Sequence, residues 1–450
     1  MSNLKIKLFV INFHKKMTDK TKQFFTALDI GTSKICAIIA EKTENNKLKI
    51  IGFSETESEG VSEGMIQNLI KATAKIKEVV LKASEMANFK IKFVNVGIAG
   101  KHIRSFSTHH SIGLQNNENE PIEINQSHVK KLEQRSKMAV IPTNHKIIHS
   151  MPQKYTIDED HESVDPIGEF GKKLEADFHI ISANKVDIKI MEESIRRSDI
   201  ICRNLILEPI ASSIALLDEN DKEDGICLVD IGGGTTDISI FHDNIIRHTA
   251  VIPLGGDIVT QDIKEGLGLP RHHAEALKIK FGKALYVRRP VKEFVKIKGE
   301  GQREDKKISL DSLYKIIEAR MEEIFDKVHQ EILNSGMSEK LSAGIVITGG
   351  GSQLLNLKQQ VKYITGLDVR KGFPNSYLTK SEIVNLEFPK YSTSVGLLLW
   401  EFANENRQPE NNFKTASSLP RVNNFGKLVT ERIKGFLKDD DLTEFKDESL

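Results

Sequence analysis

The chain has 450 residues, 64 Lys and Arg against 63 Asp and Glu, and a formal charge of +1. It is long enough for two or more domains, and its balanced charge lacks the basic bias or patch that would point to a nucleic-acid partner. Cys36, Cys202 and Cys227 stand in apolar runs and read as reduced and buried, without the CxxC or His/Cys spacing of a zinc site.

No apolar run approaches the roughly 20 residues of a membrane-spanning helix. Residues 1–16 read as an extension ahead of a natural start at Met17, and 1–22 as disordered. Residues 24–41 predict two strands broken by Gly31-Thr32-Ser33, and 48–55 predicts a third. Over 68–86, Leu69, Ile70, Ile76, Val79, Val80 and Ala83 recur at helical spacing. A strand follows at 93–100. The stretch 101–177 is richer in His, Asn, Glu and Lys and reads as an inserted small domain. Buried-strand character resumes at 178–184, before a helix over 186–198 and a strand running into Glu208-Pro209.

The pattern then starts again. Residues 227–241 give strand, glycine turn and strand, and a further strand reaches the turn at Gly255-Gly256. A helical region at 274–282, a charged loop at 296–307 and a long amphipathic helix at 310–333 follow. A buried strand then enters Gly349-Gly350-Gly351 and continues as a helix. Both halves open with strand, Asp-Ile-Gly, strand. With no short period visible, this predicts a duplicated α/β core rather than a solenoid. His109-His110 and His272-His273 are adjacent pairs whose side chains should point apart, which favours solvated surface over a ligand set.

The glycine turns carry the chemistry. Glycines let backbone N–H groups approach an anion, and positive φ costs them little. Amides at Gly31, Gly232, Gly233 and Gly234, with hydroxyls of Thr32, Ser33, Thr235 and Thr236, could hold a triphosphate. Gly255 and Gly256 join that set, and Lys34 could add positive charge. Asp29 and Asp230 would repel phosphate unless Mg²⁺ sits between, through water. Gly349, Gly350, Gly351 and Ser352 could let a base lie against backbone. Glu275 and Lys278, three apart on one helix face, could bond ribose hydroxyls and the base. The P-loop signature GxxxxGK[ST] and the dinucleotide signature GxGxxG are both absent.

The ordered set "LDIGTSK", "LEPIASSIALL", "VDIGGGTTD", "AEALKIKFG" and "ITGGGSQL" resembles the actin/Hsp70/sugar-kinase ATPase superfamily. Within it, "GIAGKHIRS", "HSMPQKYTID", "DPIGEFG", "RHTAVIPLGGDIVTQDI" and "YSTSVGLLLW" resemble the bacterial cell-division FtsA family, over about 24–402 plus the terminal helix. The resemblance implies an α/β, actin-like duplicated two-lobe ATPase fold with an inserted subdomain, 1C, at 101–177. It places subdomain 1A at 23–100 and 178–206, completed by 391–403. It places 2A at 207–256 and 330–390, and 2B at 257–329. It implies ATP and Mg as cofactors, with slow or no hydrolysis and no metabolic reaction. Glu208 and Asp237 would position the attacking water. It further implies filaments, binding of the FtsZ C-terminal tail through 2B, and recruitment of later divisome proteins through 1C. A kinase of the same superfamily would need a catalytic Asp in a substrate cleft. A chaperone would need a peptide-binding domain, and too few residues follow Phe402 for one.

Residues 404–424, with Pro409 and Pro420, read as a linker. Phe425, Leu428, Val429, Ile433, Phe436 and Leu437 then form one helical stripe, with Lys427, Lys434 and Lys438 roughly opposite. Residues 425–438 thus predict an amphipathic helix that lies on a membrane surface with lysines toward anionic headgroups, and the resemblance implies that this surface is the cytoplasmic face of the inner membrane at the septum. The acidic tail 439–450 departs from the family pattern and should weaken that attraction.

Overall fold

The structure, a computed structural model, describes residues 23–114, 120–287, 293–299, 304–374 and 377–404. The expected N-terminal extension, linker, amphipathic helix and acidic tail fall outside the described residues, apart from Asn404. The first lobe opens with β1 (Phe24–Ile30), β2 (Lys34–Lys42) and β3 (Leu48–Glu57), which pair antiparallel in that order. Helix α1 (Leu69–Ala87) starts where the Asn68 side chain accepts the Lys71 N–H, and stops where Asn88 turns left-handed at φ 47°. It buries Ala72, Ile76, Val79, Val80 and Ala83, whereas Ile70 falls off the stripe and is 77% exposed. Strand β4 (Phe93–Ile98) runs parallel to β1.

An insertion then leaves the lobe through β5 (Ile103–Gly113), α2 (Gln126–Ser136), β6 (His145–Ile157) and β7 (His161–Ser163), and returns on β8 (Lys173–Asn184). Its sheet has the order β7-β6-β8-β5. Strand β8 pairs with β5 from Lys173↔Gly113 to Ala183↔Ile103, so the expected boundary at 178 falls inside a strand of this sheet. The apolar run misled because β8 serves two cores in succession. Leu174, Ala176, Phe178 and Ile180 face the insertion's interior, while Ile181 and Ala183 join the first lobe's.

After α3 (Lys185–Arg197), β9 (Ile201–Leu207) runs parallel to β4 and completes the sheet β9-β4-β1-β2-β3. Helix α4 (Glu208–Leu216) leads into the second lobe. There β10 (Ile226–Ile231), β11 (Thr236–His242) and β12 (Ile245–Ile252) pair antiparallel, and α5 (Gly256–Leu267) and α6 (Arg271–Phe281) follow. The expected charged loop is partly a ribbon. Strands β13 (Phe294–Ile297) and β14 (Lys306–Ser309) pair so that Val295, Ile297 and Ile308 face the core, Lys296 and Lys307 pair on the opposite face, and Lys306 reaches the end of α5 to donate to Leu267 O and Gly268 O. Helix α7 (Leu310–Asn334), β15 (Gly344–Thr348), α8 (Leu357–Thr365) and β16 (Val369–Lys371) close the lobe. Its sheet order, β12-β11-β10-β15-β16, repeats the first: three antiparallel strands, then two added parallel. That is the duplication the repeated Asp-Ile-Gly motifs predict.

The last described helix, α9 (Ser392–Asn404), packs on β1 and crosses α4. At the crossing any side chain on Gly396 would overlap the carbonyl oxygen of Ala211, so the two helices meet backbone to backbone. His109 and His110 do point to opposite sides, toward Glu175 and Asp177 and toward Phe178 respectively. His272 and His273 do not: their rings lie 4.2 Å apart in the first turn of α6.

Candidate functional site

Each central strand, β1 and β10, ends in Asp-Ile before a glycine turn, and both turns close with the same bond. Gly31 N–H donates to Lys34 O at 2.9 Å, and Gly232 N–H donates to Thr235 O at 2.9 Å. The turns face one another. A Cβ on Gly234 would stand 2.5 Å from Thr32 Oγ1, and one on Gly233 would overlap the Ser33 hydroxyl. Two further glycine segments converge on the second turn. Gly256 N–H and Asp257 N–H donate to Gly232 O and Gly233 O at 2.9 and 2.8 Å, docking the start of α5. Gly349 holds φ at +82°, and a side chain there would overlap both Asp230 Oδ1 and Ile231 O.

Four acids gather around these turns. Asp29 Oδ2 accepts from Lys34 Nζ and Ser394 Oγ, each at 2.6 Å. Asp230 Oδ2 accepts from Ser212 Oγ at 2.7 Å and Thr393 Oγ1 at 3.2 Å. Asp237 Oδ2 accepts from Thr235 Oγ1 at 2.8 Å, while Asp237 Oδ1 is buried with no partner among the described residues. Glu208 opens α4, where a carboxylate suits the helix dipole, and its side chain lies over Gly97 at the end of β4. Burial, then the charges of Asp29, Asp237 and Asp230, push the Glu208 carboxyl well above the usual range. Burial also raises Asp230, and burial with the Asp230 charge raises Asp237 to about 7. Burial opposes the charge on Lys34, but the Asp29 carboxylate holds that ammonium above its ordinary value.

The expected hydroxyls divide into two groups. Thr32 accepts from Gly64 N–H at 3.0 Å and remains half-buried, and Ser33 is exposed. Thr236 is turned inward onto Leu254 O, and Ser352 onto Gly349 O, so these two brace their loops. Lys34, expected to face a phosphate, is the counter-ion of Asp29. Glu275 and Lys278 do come together. Lys278 Nζ lies 2.8 Å from Glu275 Oε2 and donates to Gly256 O at 2.8 Å and Thr260 Oγ1 at 2.7 Å. Thr260 in turn donates to Glu275. The sequence reading missed Gly97, Ser212, Thr260, Thr393 and Ser394. Ser212 and the Thr393-Ser394 pair stand inside the "EPIASS" and "YSTSVG" segments, which were the available signal.

Two sheets of one topology, joined by crossing helices and meeting at acid-tipped glycine turns, define the actin-like ATPase fold. Among solved structures, a PilM–PilN type IV pilus biogenesis complex matches with a TM-score of 0.60 and 14% identity, over 83% of this chain and 97% of that one. MreB5 of Spiroplasma citri bound to ADP matches with a TM-score of 0.51 and 14% identity, over 87% and 99%.

Residues 227–396 match the family model of the cell division protein FtsA, and residues 100–182 match that of the SHS2 domain inserted in FtsA. FtsA of Pseudomonas aeruginosa is 35% identical over 378 residues, 84% of this chain and 89% of that relative. FtsA of Escherichia coli is 32% identical over 390 residues, 85% and 91%. FtsA of Borreliella burgdorferi is 30% identical over 421 residues, 93% and 99%. The chain belongs to the FtsA family of cell division proteins.

Proposed function

We propose that this chain is an ATP-dependent membrane adaptor of cell division. It binds Mg·ATP between its lobes and assembles into filaments. It holds the FtsZ C-terminal tail through residues 257–329 and recruits later divisome proteins through the insertion. Residues 425–438 tether it to the cytoplasmic face of the membrane at the septum. The observation that carries the nucleotide part is the pair of identically closed glycine turns, facing one another with one aspartate behind each.

The residues present fit the cofactor. Side chains at Gly233, Gly234 and Gly349 would collide with Ser33, Thr32 and Asp230, so only bare backbone lets the turns and the aspartate come this close. The unpartnered Asp237 Oδ1, among four carboxylates, suits a cation held through water. Bound Mg²⁺ would neutralise phosphate charge beside Asp29 and Asp230. Thr32 and Ser33 offer accessible hydroxyls to the phosphate chain. Glu275 and Lys278, fixed by Thr260, face the ribose. Glu208 and Asp237 are placed to orient water, but both are held toward the protonated form, which fits slow or absent hydrolysis.

One terminal amphipathic helix binds lipid only modestly, so filaments supply avidity by presenting many at once. The test is co-sedimentation of the full chain with anionic liposomes, with and without Mg·ATP and an FtsZ tail peptide. ATP should increase the pelleted fraction, the peptide should co-pellet, and deleting 425–438 should release both. Binding that ignores ATP and survives the deletion would sink the proposal.

A further inference from the structure

The two strand-end aspartates, one from each lobe, lean on a single turn of helix. Ser394 Oγ donates to Asp29 Oδ2 at 2.6 Å, and its neighbour Thr393 Oγ1 donates to Asp230 Oδ2 at 3.2 Å. Ser212 Oγ on α4 donates to the same Asp230 oxygen at 2.7 Å and stands 3.0 Å from Thr393 Oγ1. These hydroxyls are 0%, 8% and 0% exposed for Ser394, Thr393 and Ser212, so solvent does not replace them when removed. Their spacing is set by main chain, because α9 and α4 touch at Gly396 and Ala211 with no side chain between. On Asp230 the supported oxygen is Oδ2, and Oδ1 is turned to the Gly349 backbone at the cleft. A carboxylate pinned through one oxygen has a fixed plane, and the other oxygen then has a fixed direction.

We infer that Thr393 and Ser394 are positioning residues for the acid pair. They set the mutual orientation of Asp29 and Asp230, and with it the dependence of nucleotide binding on a divalent cation. This rests on the reading of the cleft as a Mg·ATP site. Thr393 and Ser394 themselves need touch neither metal nor nucleotide. Because one helix orients both acids, the lobes present them as a unit rather than as two independently hinged groups.

The experiment is binding of a fluorescent ATP analogue to the full chain, titrated with Mg²⁺ and repeated in EDTA, with thermal unfolding alongside. Ser394→Ala and Thr393→Val should each raise the Mg²⁺ needed for half-saturation about tenfold or more, the effect of losing a hydrogen bond to a charged group. Their affinity in EDTA should stay at the wild-type value. Thr393→Ser, which keeps the hydroxyl, should restore the Mg²⁺ dependence. Ser194→Ala, which removes a buried hydroxyl on α3 that donates to Ile190 O, controls for loss of any buried serine and should leave both readouts unchanged. Wild-type Mg²⁺ dependence in the two variants would overturn the inference alone. So would an equal loss of affinity in EDTA, which would mark the hydroxyls as scaffold. A wild-type chain that shows no Mg²⁺-dependent binding would overturn the reading of the cleft, and the inference with it.

Discussion

Replacing Asp237 with Asn should make the protein more stable in alkaline solution, although it deletes a charge from a conspicuous polar cluster. Asp237 is 3% exposed, its Oδ1 has no partner, and burial together with the Asp230 charge raises its pKa from 3.8 to about 7. The folded state therefore binds this proton more tightly than the unfolded state does. Stability is fully present below the unfolded pKa and falls as pH rises through 7. A shift of that size corresponds to about 4 kcal/mol at full ionisation. Asn keeps an acceptor for Thr235 Oγ1, now 2.8 Å from Asp237 Oδ2, and cannot ionise. The expected gain is about 2–4 kcal/mol at pH 8.5, shrinking toward zero by pH 4. The assay is urea unfolding of both proteins in EDTA across pH 4–8.5. Parallel stability profiles, or an Asn variant weaker than wild type at pH 8.5, would refute the assignment of that charge to a dry, unmatched site. Adding Mg²⁺ at pH 8.5 should raise the wild-type unfolding midpoint more than the variant's.

Two further expectations follow from the geometry. Gly349→Ala forces a Cβ into Asp230 Oδ1 and Ile231 O at φ +82° and ψ 174°, a region essentially reserved for glycine, at about 1–3 kcal/mol for the backbone alone. It should abolish ATP-analogue binding while far-ultraviolet circular dichroism still reports a folded chain. His149, on the insertion, accepts the N–H of Leu207 immediately before Glu208 at 3.1 Å, and burial lowers its pKa to about 4. That contribution is present above the unfolded pKa of 6.5 and is lost as pH falls toward 4, about 3 kcal/mol in all. His149→Phe should therefore lower stability at pH 7 by leaving the Leu207 N–H unpaired, yet flatten the acid limb of the unfolding profile.

Local patterns made much of this molecule legible before its structure. An aspartate followed by glycines at the end of an apolar run marks a strand that stops at a backbone-lined turn. Finding it at Asp29 and again at Asp230 implied two sheets of one design. The i, i+3 spacing of Glu275 and Lys278 brought them to one face, as the 2.8 Å contact confirms. What stayed hidden depended on packing between distant segments. Thr393 and Ser394 reach the aspartates only because α9 crosses α4 at Gly396, a contact no window of sequence contains. Thr260 fixes Lys278 and Glu275 from a neighbouring helix. The boundary at 178 was misplaced because hydrophobicity reports burial and not which core does the burying. Lys296 and Lys307, on the face opposite Val295, Ile297 and Ile308, masked a strand pair that packs on the core.

The two halves share strand order but not chemistry, and that difference bears on how the site would work. The first turn has the accessible hydroxyls of Thr32 and Ser33 and the ammonium of Lys34, already matched to Asp29. The second has its threonine hydroxyls turned inward and gathers Asp230 and Asp237, with Glu208 beside them, all raised by burial and mutual repulsion. An anion meets least resistance at the first turn, and a cation gains most at the second. On the proposed reading, Mg·ATP is held only where the two turns meet, because neither turn alone supplies both charges.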